Sequence, residues 1–368
     1  MKLKTLLIAV LALAGLSVVV HFATRPAPRV ASDPRIGQPL LPADVAANAT
    51  RVTLSENGNT VILSRDDADR WTVSSYHDFP ADFTKLSRLI RELTATEVDR
   101  FVTANPERLD RLDLSDTKIS LAGADEQVLW TVTLGKTADN GGRFLRFGDD
   151  DRAYLARLNT FLDTTAKNWA DSALVSVKPA DIAKVELTFA GDEAPVVATR
   201  ADATAPFTAE QAPENQRLKS DRITTLLTTL TGLRFIDTAP FDSTDAVDAR
   251  THARTATLTT FDGQTVTISL GRRPAAEAPV PETTDDATPA DSDQPAAEAT
   301  PPQDVPAGPV FVQISTTQPD AWTTKVGDRL AFKISDYPFT NLPQSRADLF
   351  EAVPPSPAAE PAAEPAAP

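Results

Sequence analysis

The chain has 368 residues, 41% of them hydrophobic, no cysteine and a formal net charge of -15. That length gives room for about two or three domains with real cores. The acidity argues against nucleic acid as a partner, and the lack of cysteine excludes disulfides, thiolate metal sites, a Cys nucleophile and a lipoprotein anchor.

At the N-terminus, Lys2 and Lys4 precede an apolar run from Leu6 to Val20 that continues to Ala23. With its flanks the run approaches the roughly 17–20 residues that cross a bilayer. No A-x-A pattern stands where cleavage would fall, so a retained anchor over residues 1–24 is expected rather than a cleaved signal peptide. The short basic arm places the N-terminus inside. Residues 5–23 would then sit in a bacterial inner membrane as a single pass, with the bulk of the chain periplasmic. His21, at the end of the run, reads as an interfacial residue rather than a proton relay. Residues 25–45, with Pro26, Pro28, Pro34, Pro39 and Pro42, read as a stiff spacer.

A first module is expected over 46–174. Arg51–Leu54 and Thr60–Leu63 flank Asn57-Gly58 and read as a hairpin, and Arg70–Val73 gives a third strand. Phe83, Leu86, Leu89, Ile90 and Leu93 follow the spacing of one buried helical face. Strands follow through Phe101 and Val102, Ile119 and Leu121, Trp130 to Leu134, and Phe144 to Phe147. Tyr154 to Trp169 reads as a closing helix with Leu155, Leu158 and Leu162 on one side.

A second module, over 175–351, repeats this plan. Leu86, Leu89, Ile90 and Leu93 recur 137 residues later as Ile223, Leu226, Leu227 and Leu230, with Ser220 a plausible N-cap. Thr131–Lys136 (TVTLGK) recurs as Thr267–Arg272 (TISLGR), Arg100–Val102 as Arg234–Ile236, and Val52–Leu54 as Val185–Leu187. The period exceeds the roughly 20–50 residues of a solenoid repeat, so it signals a duplicated domain. Alternating strands hide only one face, so the fold class expected is α+β: two tandem repeats of a mainly antiparallel sheet with packed helices, after an N-terminal transmembrane helix. An acidic stretch over 274–307, free of Lys and Arg, and the Pro/Ala/Glu tail over 352–368 are expected to be disordered.

No chemistry-bearing motif survives inspection. Gly135-Lys136-Thr137 resembles the end of a P-loop, but Trp130 stands where the motif needs a glycine. The histidines His21, His77 and His252 lack a second ligand at helical spacing. Asp66–Asp69 and Gly148–Asp151 read as charged turns rather than calcium loops. Trp71, Trp130, Trp169 and Trp322 read as packing residues rather than sugar platforms. No catalytic, cofactor-binding or metal residue is assigned, no cofactor is expected, and the protein is expected not to be an enzyme.

The order of these elements resembles the bacterial DUF4340 family: the apolar start and spacer, Arg70–Val73 (RWTV), the helix Leu86–Leu93, then Val132–Lys136 (VTLGK) with Asn140-Gly141-Gly142 and Phe144–Phe147. The resemblance covers roughly residues 45–350 as two tandem copies, the second fitting less well because of its insertion. It implies association with a gliding-type ABC transporter, with the permease and auxiliary subunits as partners. The function expected is thus a non-enzymatic, membrane-anchored envelope protein that serves as an accessory subunit of such a transporter. The alternative is a periplasmic glycan- or lipid-binding module with a groove between the two repeats, and a third reading is an unrecognised hydrolase.

Overall fold

The computed structural model describes residues 33–139, 141–189, 193–275, 306–318 and 321–353. The chain divides between Ala170 and Asp171 into two compact units. The first contains β1 (Arg51–Glu56), β2 (Asn59–Arg65), β3 (Trp71–Val73), β4 (Phe79–Pro80), β5 (Val98–Thr103), β6 (Thr117–Ala122), β7 (Val128–Thr137), β8 (Arg143–Phe147) and β9 (Ala153–Ala156). Its helices are α1 (Ala43–Asn48), α2 (Phe83–Ala95) and the single turn α3 (Pro106–Leu109), which runs into a 3-10 turn at Asp110–Leu112. The second unit contains β10 (Ile182–Thr188), β11 (Val196–Thr199), β12 (Thr208–Ala209), β13 (Gln216–Leu218), β14 (Asp237–Pro240), β15 (Arg254–Thr260), β16 (Thr265–Gly271), β17 (Val310–Thr316), β18 (Leu330–Ile334) and β19 (Phe350–Ala352). Its longer helices are α4 (Ser220–Thr231) and α5 (Thr244–Thr251).

Strand order makes the duplication explicit. The first sheet runs β4-β3-β2-β1-β6-β7-β8-β9-β5 and the second β12-β11-β10-β15-β16-β17-β18-β14. With β4 set aside the two orders coincide position by position, including the early strand (β5 or β14) that leaves the meander and closes the far edge. Register agrees as well. Leu134 faces Leu145 in the first sheet and Leu270 faces Val312 in the second. Every pair is antiparallel, so alternation sends one set of side chains inward. Val52, Leu54, Leu63, Ile119, Val132 and Leu145 are at most 1% exposed. At the closing edge Phe101 meets Tyr154 and Phe235 meets Phe332, edge against corresponding edge.

Local chemistry explains the elements. Asn57 and Gly58 both take positive φ, as a two-residue turn matching strand twist requires. Asp82 caps α2 by accepting from the Lys85 amide, and Leu86, Leu89 and Leu93 are buried. Phe83, expected on that buried face, is 64% exposed. In α4 the N-cap is Lys219, while the Ser220 hydroxyl accepts from the Phe207 amide instead. Five threonines of α4 back-bond to carbonyls four residues earlier, which satisfies their hydroxyls without a partner element.

Two glycines carry the motif shared by the repeats. A Cβ at Gly135 would overlap the Leu112 carbonyl oxygen, and one at Gly271 would overlap the Ala249 carbonyl oxygen. In both units the last turn of a short helix rests its carbonyl on the sheet at the end of the Leu-Gly strand. That close approach is what excludes a side chain there.

Several expectations are corrected. Tyr154–Trp169 is not a helix: Tyr154 and Leu155 lie in β9, and an irregular segment with buried Leu158 and Leu162 leads to a 3-10 turn at Ala166–Trp169. Of the segment read as spacer, residues 33–45 pack on the first unit, with Leu40 and Leu41 at most 1% exposed and Leu41 donating to the Leu93 carbonyl. The N-terminal transmembrane helix is not part of the fold found. Among the described residues no helix is long and apolar enough to cross a membrane, and the anchor expected over 1–24 lies outside them. The readings that depended on it find no support among the described residues: the membrane-anchored accessory subunit, residues 5–23 as a contact with the inner membrane, the transporter partnership and the single-pass location. The acidic stretch joins β16 to β17, and its residues 276–305 lie outside the described residues, as do 354–368 of the tail.

Candidate functional site

The singled-out residues described below make turn and packing contacts, and His21 lies outside the described residues. Asp66 caps its own turn, accepting from the Ala68 and Arg70 amides and pairing with the Arg70 guanidinium. Asp150, in the Gly148–Asp151 turn, takes a two-point bond from Arg152. Arg152 also reaches Asp33, whose carboxylate accepts from the Tyr154 hydroxyl. This network ties the chain before α1 to the sheet. It holds the Asp33 carboxyl below its ordinary value, first through the Arg35 amide, and the Asp150 carboxyl below its own through the Arg152 hydrogen bond. Trp130 donates to the Leu40 carbonyl, Trp169 to the Asp163 carbonyl, and Trp322 packs on Phe332. His77 sits in an exposed turn beside Tyr76, and His252 closes α5 on Thr251 and the Asp248 carbonyl. Among the described residues no group of three or more His, Asp or Glu side chains is placed to hold a metal ion.

A cleft of about 610 Å³ lies at one end of the second sheet. It gathers the 3-10 turn before β10 (Pro179–Asp181), the loop after β11, the β15–β16 hairpin and the end of β17, so all its walls are turns. Phe261 stands at the hairpin tip, 47% exposed, and its amide donates to the Asp181 carbonyl. Gly263 takes positive φ there, so the tip can turn back into β16.

Arg200, just outside the lining, ties the lining turns together. Its guanidinium donates to the carbonyls of Pro179, Ala180, Ile182 and Ala203, and it lies over the Phe207 ring and near that of Phe261. Burial lowers its pKa, opposed by the charge of Asp202. Asp202 and Asp262 are themselves loop caps. The Thr204 hydroxyl and amide hold Asp202 below its ordinary value, and the Thr260 hydroxyl does the same for Asp262.

The amides form one wall. Gln318 Oε1 accepts from Gln264 Nε2 and from the Ser176 hydroxyl, each at 3.2 Å. Gln318 Nε2 and Gln264 Oε1 have no protein partner among the described residues, so a donor and an acceptor are left for a ligand beside an aromatic ring.

The family profile described as "Domain of unknown function (DUF4340)" matches residues 71–253. A DUF4340-family domain is present over these residues. The DUF4340 match begins at β3 and ends just after α5, so it runs through the unit boundary rather than over either repeat, and a second tandem DUF4340 copy is not shown. No similar curated protein and no similar solved structure is found. Within the cleft, Ser176, Asp181 and Asp202 fall inside the matched stretch, whereas Phe261, Gln264 and Gln318 lie beyond it.

No motif in the sequence marks the cleft. The one signal available was an aromatic residue, Phe261, on a polar hairpin tip.

Proposed function

We propose that this protein is a non-catalytic binding module whose second unit takes a polyhydroxylated, glycan-type ligand. The observation that carries this is the exposed Phe261 ring beside the unused amide groups of Gln264 and Gln318, in a cleft of about 610 Å³. A sugar ring offers C–H groups on one face and hydroxyls round its rim. An aromatic face suits the first, and planar amides and carboxylates suit the second. The volume lies within the roughly 300–1,000 Å³ of small-molecule sites. A lipid chain would need an apolar, enclosed channel, whereas this open lining sets Ser, Thr, Asp and Gln among its Val, Ala and Phe side chains. The non-catalytic reading is supported by the carboxylates: Asp202 and Asp262 are ionised loop caps, poorly suited to act as a proton-carrying acid.

Calorimetric titration of the full chain with maltotetraose, cellotetraose and chitotetraose tests this. Saturable binding to at least one is expected, weakened about tenfold or more by Phe261→Ala, since aromatic contact and burial supply much of such affinity. No binding to any, or binding indifferent to Phe261→Ala and Gln318→Ala together, would overturn it. Mass spectrometry of the incubated sugars tests the non-catalytic part: shortened or modified products would sink it.

A further inference from the structure

The two repeats differ at one equivalent place, the end of the sheet where the Leu-Gly strand meets the short helix. In the second unit this place is filled. Phe311 packs with Ala246, Ala249 and Ala331, and only about 20 Å³ of cavity remains. The charges around it are satisfied. Arg250 donates to the Phe241 carbonyl and lies over the Phe241 ring, Arg272 pairs with Asp336, and Arg273 pairs with Asp245.

In the first unit α5 is replaced by the single turn α3 and its 3-10 extension, too short to cover the strand ends. Phe144, which corresponds to Phe311 through the matched registers of β8 and β17, is only half-buried. The place opens into a cavity of about 350 Å³ whose charged lining is Arg108, Arg111, Lys136 and Asp139. Lys136 is the counterpart of Arg272. None of the three cations has a hydrogen bond or ion pair among the described residues. At the base, Thr103 is 6% exposed and accepts from the Asn105 amide, which leaves its hydroxyl proton unused.

We propose that this cavity binds an oxyanion of the phosphate or sulfate type. Three cations against one carboxylate around a concavity focus positive potential into it. Arginines meet such anions through paired N–H groups, while a lysine adds a point charge. The Thr103 hydroxyl supplies a buried neutral donor. The Phe144 ring gives the cavity an apolar side on which a group bearing the oxyanion can rest. The inference is independent of the glycan reading, because it concerns the other unit and other residues.

The test is calorimetric titration of the full chain with inorganic pyrophosphate at low ionic strength, together with flotation on phosphatidylcholine vesicles with and without phosphatidic acid. Saturable pyrophosphate binding is expected, weakened about tenfold by each of Arg108→Gln, Arg111→Gln and Lys136→Gln, the scale of one charge-assisted hydrogen bond. Arg217→Gln, which removes a cation already paired with Glu351 in the second unit, should leave it unchanged. Flotation that requires phosphatidic acid and is lost in the three variants would assign the oxyanion to a lipid headgroup. Pyrophosphate binding without flotation would assign it to a free ligand. These side chains are exposed, so the variants should fold, and unchanged circular dichroism confirms it. No saturable binding of either probe, or binding that Arg111→Gln and Lys136→Gln leave intact, overturns the proposal.

Discussion

Gly271→Ala tests the contact on which the repeat is built. The added Cβ would overlap the Ala249 carbonyl oxygen and sit 3.0 Å from the Ala253 Cα, both backbone atoms that no side-chain rotation can move. Relief requires α5 to lift by about an ångström, and overpacking of this kind costs about 1–3 kcal/mol. Lifting also separates Ala246 and Ala249, at most 1% exposed, from Phe311. Alanine returns about 0.4–1 kcal/mol by restricting the unfolded chain. The net expectation is a loss of about 1–2 kcal/mol in the second unit. Gly135→Ala should cost less, because the 3-10 turn it displaces contributes one buried residue, Leu112. Denaturant unfolding gives the midpoints, and hydrogen exchange assigns the loss to α5, β16 and β17. A Gly271→Ala protein within about 0.5 kcal/mol of the parent, against the expected overpacking cost, would show that the carbonyl contact does not constrain this position.

The Asp33 network makes stability depend on pH at both ends. Asp33 and Asp150 have lowered pKa values in the fold, so their contribution is complete above the ordinary value of 3.8 and is lost as pH falls through the lowered values. Asp33→Asn should flatten that acid limb and cost about 1–2 kcal/mol near neutrality, as a lost charge-assisted hydrogen bond does; an unchanged acid midpoint would refute it. Tyr154 is pushed from 10.0 to about 12, first by burial and then by its bond to Asp33. Stability linked to it is therefore present below pH 10 and is lost as pH rises through about 12, by about 3 kcal/mol in full. Absorbance titration against Tyr154→Phe should reveal this late phenol as a difference that develops only above about pH 11, and a difference of one phenol already complete by pH 11 would count against it.

The fold was legible where local and global signals agreed. Val52, Leu54 and their counterparts Val185 and Leu187 alternate because one face of each sheet is buried. Gly135 and Gly271 recur because a carbonyl needs the space. The misread closing helix shows the limit of periodicity. Leu155, Leu158 and Leu162 sit at helical spacing, yet Leu155 lies in β9 while Leu158 and Leu162 anchor an irregular segment. Leu40 and Leu41 were hidden for the opposite reason: two adjacent leucines among prolines make no period, although their burial holds residues 33–45 on the core. The cleft could not be read at all. Its walls come from four turns between Ser176 and Gln318, and no local pattern joins them before the sheet does.

That pairing decides what folds leads to a final prediction, on the fragment 71–253. The stretch matching DUF4340 starts after β1 and β2 and stops before β15. In the first sheet β1 lies between β2 and β6, so the fragment separates β3 and β4 from the rest and removes Val52, Leu54, Val61 and Leu63 from the core. In the second it leaves β10, β11 and β12 without their neighbour β15, and β14 without β18. Both cores lose central strands, and a sheet open in the middle cannot bury its alternating face. The fragment 33–170 keeps all nine strands of the first sheet. It should unfold cooperatively in denaturant, whereas 71–253 should show no cooperative transition and weak amide protection. A sharp transition for 71–253, as steep as that of 33–170, would mean that strands outside the sheets described can replace β1, β2 and β15. Without such replacement, strand pairing sets the folding units, and the family match marks a stretch of sequence that runs through two of them.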